Sequence, residues 1–286
     1  MRIDSHQHFW KYDVAEYGWI DDSMARLRRD FLPVDAKREM QVAGFDGCIA
    51  VQARQTLEET RWLLSLADAH PFVVGCLGWV DLQSPSVDDD LAQLSRHPKL
   101  LGIRHIVQSE PDDFLSRPAF RRGVALLARL GLTYDILIYP RQLPVAVRLV
   151  TDFPDQQFVL DHLAKPDVRS GAIENWTRDL RTLAARRNVC CKVSGLVTEA
   201  DWRTWTPDQL RPYLEVAFDC FGADRLMIGS DWPVCTLAAD YARTMNVVAD
   251  FLSQRSAAER DAVLGGTAVR TWNLFSRADH EPVTRL

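Results

Sequence analysis

A chain of 286 residues with 34 Lys and Arg against 39 Asp and Glu, 47% of it hydrophobic, has ordinary globular composition, which excludes disorder, collagen-like repeats and coiled coil. The net charge of −5 is interspersed and leaves no basic stripe for phosphates, so nucleic acid is not an expected partner. No stretch approaches ~20 uninterrupted apolar residues and the start, Met1-Arg2-Ile3-Asp4, has no apolar signal region, so a cytoplasmic protein without a membrane partner is expected.

Eight short apolar runs rich in β-formers recur at residues 2–5, 47–52, 72–80, 101–107, 132–138, 157–160, 189–194 and 226–230. Between them lie segments with helical spacing, such as Leu57, Leu63, Leu64 and Ala67, or Val124, Leu127, Ala128 and Leu130. Eight alternating units predict an α/β fold of the (β/α)8, TIM-type barrel kind. An open doubly wound sheet is the alternative, but the first strand leads into His6-Gln7-His8 instead of a glycine-rich turn. No linker interrupts the chain, so residues 1–286 read as one domain.

Residues 9–31, with Trp10, Tyr12, Tyr17 and Trp19, predict an ordered excursion over the barrel mouth, part of a lid, before a helix near 35–43. Two short C-terminal helices are expected at 257–264 and 268–275, separated by Gly265-Gly266, with a tail that frays after Ser276. The six cysteines form no C-x-x-C pair and read as reduced thiols, mostly in apolar runs. Cys235 follows the eighth strand, but nothing supplies a base for it.

In a barrel the C-terminal strand ends converge on one mouth, so the polar residues there are the candidates for chemistry. The first strand ends in His6-Gln7-His8, and alternation points both imidazoles the same way. The sixth breaks from Phe158-Val159-Leu160 into Asp161-His162, which puts His162 at the mouth. The eighth does the same for Asp231, with Trp232-Pro233 following in place of a helix to be capped.

These pieces resemble the amidohydrolase superfamily, and within it the branch of sugar lactonases that includes L-fuconolactonase and L-rhamnonolactonase. The matching segments are Asp4-Ser5-His6-Gln7-His8-Phe9-Trp10, Gly102-Ile103-Arg104-His105, Asp161-His162-Leu163-Ala164-Lys165-Pro166, Lys192-Val193-Ser194-Gly195 and Gly229-Ser230-Asp231-Trp232-Pro233, spanning nearly the whole chain. The resemblance implies that His6, His8, His162 and Asp231 occupy the places of metal-site and catalytic residues. One departure stands out: the fifth run ends Asp135-Ile136-Leu137-Ile138-Tyr139, without the His or Lys expected there. His105 or an inward Asp135 could substitute. His6, His8 and Asp231 could therefore hold one divalent ion such as zinc, dispensable or not, or form a metal-free acid-base pocket with His162.

Arg104, inside an apolar run, needs a strongly polar partner and reads as catalytic, and His105 points oppositely if the strand is regular. Arg54, Trp79, Asp81, His105, Lys165 and Ser194 fall at or beyond strand ends as candidate substrate contacts, and Trp10 and Trp232 could stack on a sugar ring. Three functions compete: an aldonolactonase acting on a small sugar lactone such as L-fuconolactone or a rhamnono- or galactonolactone, a metal-dependent hydrolase or decarboxylase of another small molecule, and a barrel that only binds a partner. The first is preferred, with Asp231 activating water and His162 or Arg104 stabilising the carbonyl oxygen. The oligomeric state is not legible.

Overall fold

In the computed structural model, which describes residues 1–274, eight parallel strands form one sheet in chain order. They are β1 (Ile3–Gln7), β2 (Gly47–Val51), β3 (Val73–Gly78), β4 (Leu100–His105), β5 (Thr133–Ile136), β6 (Phe158–Leu160), β7 (Val189–Val193) and β8 (Leu226–Ile228). The sheet returns to β1 just past β8, where Asp231 N donates to His6 O at 2.9 Å and His8 N to Trp232 O at 2.7 Å. Helices α1 (Pro33–Ala43), α2 (Leu57–Ala69), α3 (Val87–Leu94), α4 (Pro118–Leu127), α5 (Leu143–Asp152), α6 (Glu174–Ala184), α7 (Pro207–Phe221) and α8 (Tyr241–Leu252) follow the strands in turn. The expected (β/α)8 barrel is what forms. Several strands are shorter than their apolar runs because Val80 and Ile138, past the ends of β3 and β5, remain buried while leaving the sheet.

Local chemistry fixes the joints. α1 starts on Pro33, whose missing N–H needs no partner in a first turn, and stops at Gly44, where φ of 75° suits a residue without Cβ. Thr56 caps α2 by accepting from Glu59 N at 3.1 Å. A large apolar shell fills the space between strands and helices, and a smaller cluster including Ile3, Ile49, Leu77, Val159 and Met227 plugs the barrel interior.

The excursion over residues 9–31 is held at its base by reciprocal bonds between Trp10 and Phe31, both 2.9 Å, and contains a short turn of 3-10 helix at Asp22–Leu27. At the other end of the chain, α9 (Ala257–Asp261) and α10 (Thr267–Trp272) are joined through a wide π-turn at Ala262–Gly266. The glycine pair is therefore no separator, as was expected. A Cβ on Gly265 would lie 2.3 Å from Met1 O, so glycine lets this turn pack under β1. The expected end of the last helix at 275 and the fraying after Ser276 lie outside the described residues. All six cysteines are free, and no described helix is long and apolar enough to cross a membrane.

Glu59 ties the loop after β2 to α2: its Oε2 accepts from Ala53 N at 3.0 Å and Arg54 N at 2.7 Å. Burial raises its carboxyl to about 7 against the pull of those two donors. The folded value lies above the unfolded one, so the folded protein holds this proton longer. Its contribution to stability is full at low pH and is lost as pH rises through 7. Glu59→Gln should remove this slope: urea midpoints for parent and variant should diverge between pH 5 and 8, to the variant's advantage, by on the order of 2 kcal/mol. Parallel profiles would show that Glu59 is ionised throughout.

Candidate active site

Two irregularities in the sheet aim the key side chains. β1 shifts register against β2 between Asp4 and Gln7. Ile3 packs in the interior cluster and His6, three positions on, also points inside, a parity that an unbroken strand cannot give. β4 likewise skips Leu101 in its pairing with β3. Arg104 is thereby turned into the barrel, while His105 faces the helices and stacks on Phe114 at 4.6 Å.

His6, His8, His162 and Asp231 meet at the mouth. His6 Nε2 and His8 Nε2 are 3.2 Å apart, and Asp231 Oδ1 lies 3.3 Å from His8 Nε2, 3.8 Å from His6 Nε2 and 3.9 Å from His162 Nε2. His8 Nδ1 is 2.8 Å from Val51 O and donates to it, which leaves Nε2 as an acceptor beside a carboxylate. Two acceptors facing each other at this distance suit a shared cation. The spacing within His6, His8 and Asp231 also matches ligands held about 2.0 to 2.2 Å from one tetrahedral ion. The donor set fits a single divalent metal.

His162 reaches the mouth through backbone strain. His162, Leu163, Ala164 and Lys165 all have φ between 51° and 58°, a left-handed turn costing roughly 1 kcal/mol or more per residue. The ring is steadied by Ser194 Oγ at 2.8 Å from Nδ1. Asp231 too sits at φ of 57°.

Beneath the mouth lies a buried charge network. Arg104 donates from Nε to Gln52 Oε1 at 2.9 Å and from Nη1 to Asp161 Oδ2 at 3.1 Å, and Nη2 bonds the Gln52 backbone oxygen. Lys192 Nζ is 2.6 Å from Asp135 Oδ2, 2.9 Å from Asp161 Oδ1 and 3.3 Å from His6 Nδ1. Asp135 does point inward, but Lys192 holds it, so neither it nor the outward His105 completes a set of metal ligands. Burial, joined by the Lys192 charge, keeps the His6 value well below that of an ordinary histidine. Burial likewise lowers His162 to about 4, against the attraction of Asp231 and Asp161. For Asp161 burial works the other way, but Lys192, His6 and Arg104 outweigh it and hold the carboxyl far below the usual range. Burial is similarly outweighed at Asp231 by its three imidazoles. Near neutrality, then, His6 and His162 are uncharged and both carboxyls are ionised.

Above this floor opens a cavity of about 290 Å³ lined by His8, Arg104, His162, Asp231, Trp10 and Lys165 among the expected residues. Ser194 stands behind His162. Five expected contacts do not line it. Arg54 is paired with Glu16 beside a neighbouring surface groove. Trp79 Nε1 donates to His105 Nδ1 at 3.2 Å, and His105 Nε2 is 3.1 Å from Glu110, so both are one layer behind the wall. Asp81 is exposed and accepts from Gln83 N in its own turn at 2.9 Å. Trp232 is buried against Phe31 at 5.3 Å. A larger cleft of about 540 Å³ lies among Arg181, Arg187 and Arg225 at the far end of the barrel, where Arg225 donates to the carbonyls of Ala184 and Cys220.

Sequence reasoning missed Asp161, Lys192 and Gln52 as site residues, and Trp19, Gln55, Gln108 and Glu110 in the wall. Lys192 inside Val189-Cys190-Cys191-Lys192-Val193 was the available signal, since a buried ammonium demands carboxylate partners. The wall residues sit on loops, where no periodicity marks them.

A family model described as amidohydrolase matches residues 3–274. The chain is 43% identical over 291 residues to an L-fucono-1,5-lactonase of Burkholderia multivorans, with 98% of each chain covered. It is 40% identical over 244 residues to an L-fucono-1,5-lactonase of Burkholderia ambifaria, covering 84% of this chain and 83% of that one. A crystal structure of a Burkholderia multivorans amidohydrolase with bound zinc superposes with a TM-score of 0.93 at 42% identity, over 96% of this chain and 99% of that one.

Gly195 offers a test of how closely His162 is held. Its φ is 69°, and a Cβ there would lie 2.8 Å from His162 Nδ1. Gly195→Ala should displace the ring and lower kcat by at least about 10-fold, the low end for losing a placed acid-base group. Crystallography of the variant should show His162 moved. Full activity would mean that the ring's position is unimportant.

Proposed function

The chain belongs to the amidohydrolase family, and from that premise we propose that it hydrolyses the ring ester of a sugar aldonolactone, of the L-fuconolactone type or a rhamnono- or galactonolactone. The relation to the two L-fucono-1,5-lactonases supports the substrate class. The observation that carries the chemistry is Asp231, ionised at the cavity floor with three imidazole nitrogens 3.3 to 3.9 Å from one of its oxygens.

In this reading Asp231 takes a proton from water as the water attacks the carbonyl carbon. With Ser194 donating to His162 Nδ1, the other ring nitrogen carries the proton and donates to the carbonyl oxygen, and the Arg104 guanidinium adds positive charge to the same floor. Protonated Asp231 then gives its proton to the leaving ring oxygen. His6, His8 and Asp231 are the residues that would hold a divalent ion, which when bound would polarise the carbonyl and acidify water. Trp10 and Lys165 line the wall as substrate contacts. Arg54, Trp79, Asp81, His105 and Trp232 support the loops around it. Residues 1–286 act as one catalytic domain, placed in the cytoplasm in keeping with six free thiols.

A panel of aldonolactones near neutral pH, followed by acid release with an indicator, tests the substrate class. Turnover of other esters without any six-carbon or 6-deoxy sugar lactone would overturn it. Asp231→Asn keeps the shape but cannot take the proton. It should fold, keep a similar KM and lose roughly 10²- to 10⁴-fold in kcat, and retention of more than about a tenth would pass the role to His162. Exhaustive chelation should leave much of the activity, because an aldonolactone is an already reactive ester. Complete loss restored by zinc or manganese would make the ion essential.

A further inference from the structure

The nitrogen that would bind a metal from His6 is already in use. Arg104 Nη1 lies 3.2 Å from His6 Nε2. For Nη1 to donate there, Nε2 must present its lone pair, with the ring proton on Nδ1 facing Asp161 Oδ1 at 3.5 Å. A metal bond needs that same lone pair. The two are mutually exclusive, and a guanidinium, always charged and without an acceptor, cannot share the site as a ligand.

Arg104 is also not free to move aside. It is 3% exposed, gripped by Gln52 through Nε at 2.9 Å and Nη2 at 2.7 Å, and by Asp161 through Nη1 at 3.1 Å. Lys192 adds a second positive charge 3.3 Å from the other ring nitrogen of His6. His8 and Asp231, in contrast, have no cation set against them that closely.

We infer that Arg104 is a built-in competitor of the divalent ion: its guanidinium occupies the His6 Nε2 lone pair and repels the ion from the His6, His8, Asp231 triad, so that the site binds metal weakly by construction. The inference concerns ion affinity and stands whichever ester the cavity accepts. The Asp161 carboxylate partly screens the guanidinium, so the effect is moderate. At the effective dielectric of a protein site, removing a unit charge this close should still tighten the binding of a doubly charged ion by at least about 10-fold.

The test measures zinc affinity of the full chain, stripped of metal, by competition with a chromophoric chelator. R104Q, folded by circular dichroism, should bind zinc at least about 10-fold more tightly than the parent. R104K, which keeps a charge in the pocket, should stay within a few fold of the parent, and adding H8A to R104Q should abolish the gain, which locates the ion in the triad. Affinity of R104Q equal to or below that of the parent overturns the inference, as does an equal gain in R104K or a gain that survives H8A. If R104Q does not fold, Q52E sets a carboxylate against the same guanidinium and carries the same expectation. Unchanged zinc affinity in folded Q52E would likewise overturn it.

Discussion

Asp161 is the fixed point of this site. Its carboxylate stands between Arg104 at 3.1 Å and Lys192 at 2.9 Å, all buried inside the barrel. Two cations at that depth are tolerable only because a carboxylate meets each of them, and removing the shared partner would leave uncompensated charge. The same arrangement decides the state of His6, which touches Lys192, Asp161 and Arg104 at once. Everything at the mouth rests on this layer, including which imidazole nitrogen is available.

The layer also explains why acidic and basic groups coexist here without neutralising one another's usefulness. Asp161 is committed to Arg104 and Lys192 below, while Asp231 faces only imidazoles above. Two carboxylates on one barrel axis thus hold different duties: one organises charge, the other stays open to the cavity. The left-handed turn from His162 to Lys165 adds a third layer, with its strain balanced by burial of Leu163 and Ala164 in the core.

The barrel, His6, His8, His162, Asp231 and Arg104 were legible because strand ends show as breaks in apolar runs. What sequence could not show was side-chain parity after an irregularity. The register shifts near Leu101 and between Asp4 and Gln7 leave no mark in composition, yet they decide which residues face inward. The inward pairing of Asp135 with Lys192 was equally hidden, since a lone Asp in a strand reads as a possible ligand. Trp79, Asp81 and Trp232 sit at strand ends but turn away from the cavity, because the ends of a barrel strand supply both its mouth and its rim. Trp19 and Glu110 come from loops whose paths depend on tertiary contacts alone.

The meeting of the first and last strands has a consequence for assembly. Asp231 N bonds His6 O, so the residues at the mouth come together only when the final strand docks against the first. Before that, the N-terminal half holds His6, His8 and Arg104, while Asp135, Asp161, Lys192 and Asp231 belong to the C-terminal half. A half-barrel would carry a buried guanidinium without its carboxylate, or two carboxylates crowding one ammonium. The site therefore cannot exist in part: a chain still emerging from synthesis stays chemically silent until its eighth strand arrives, and activity reports ring closure itself.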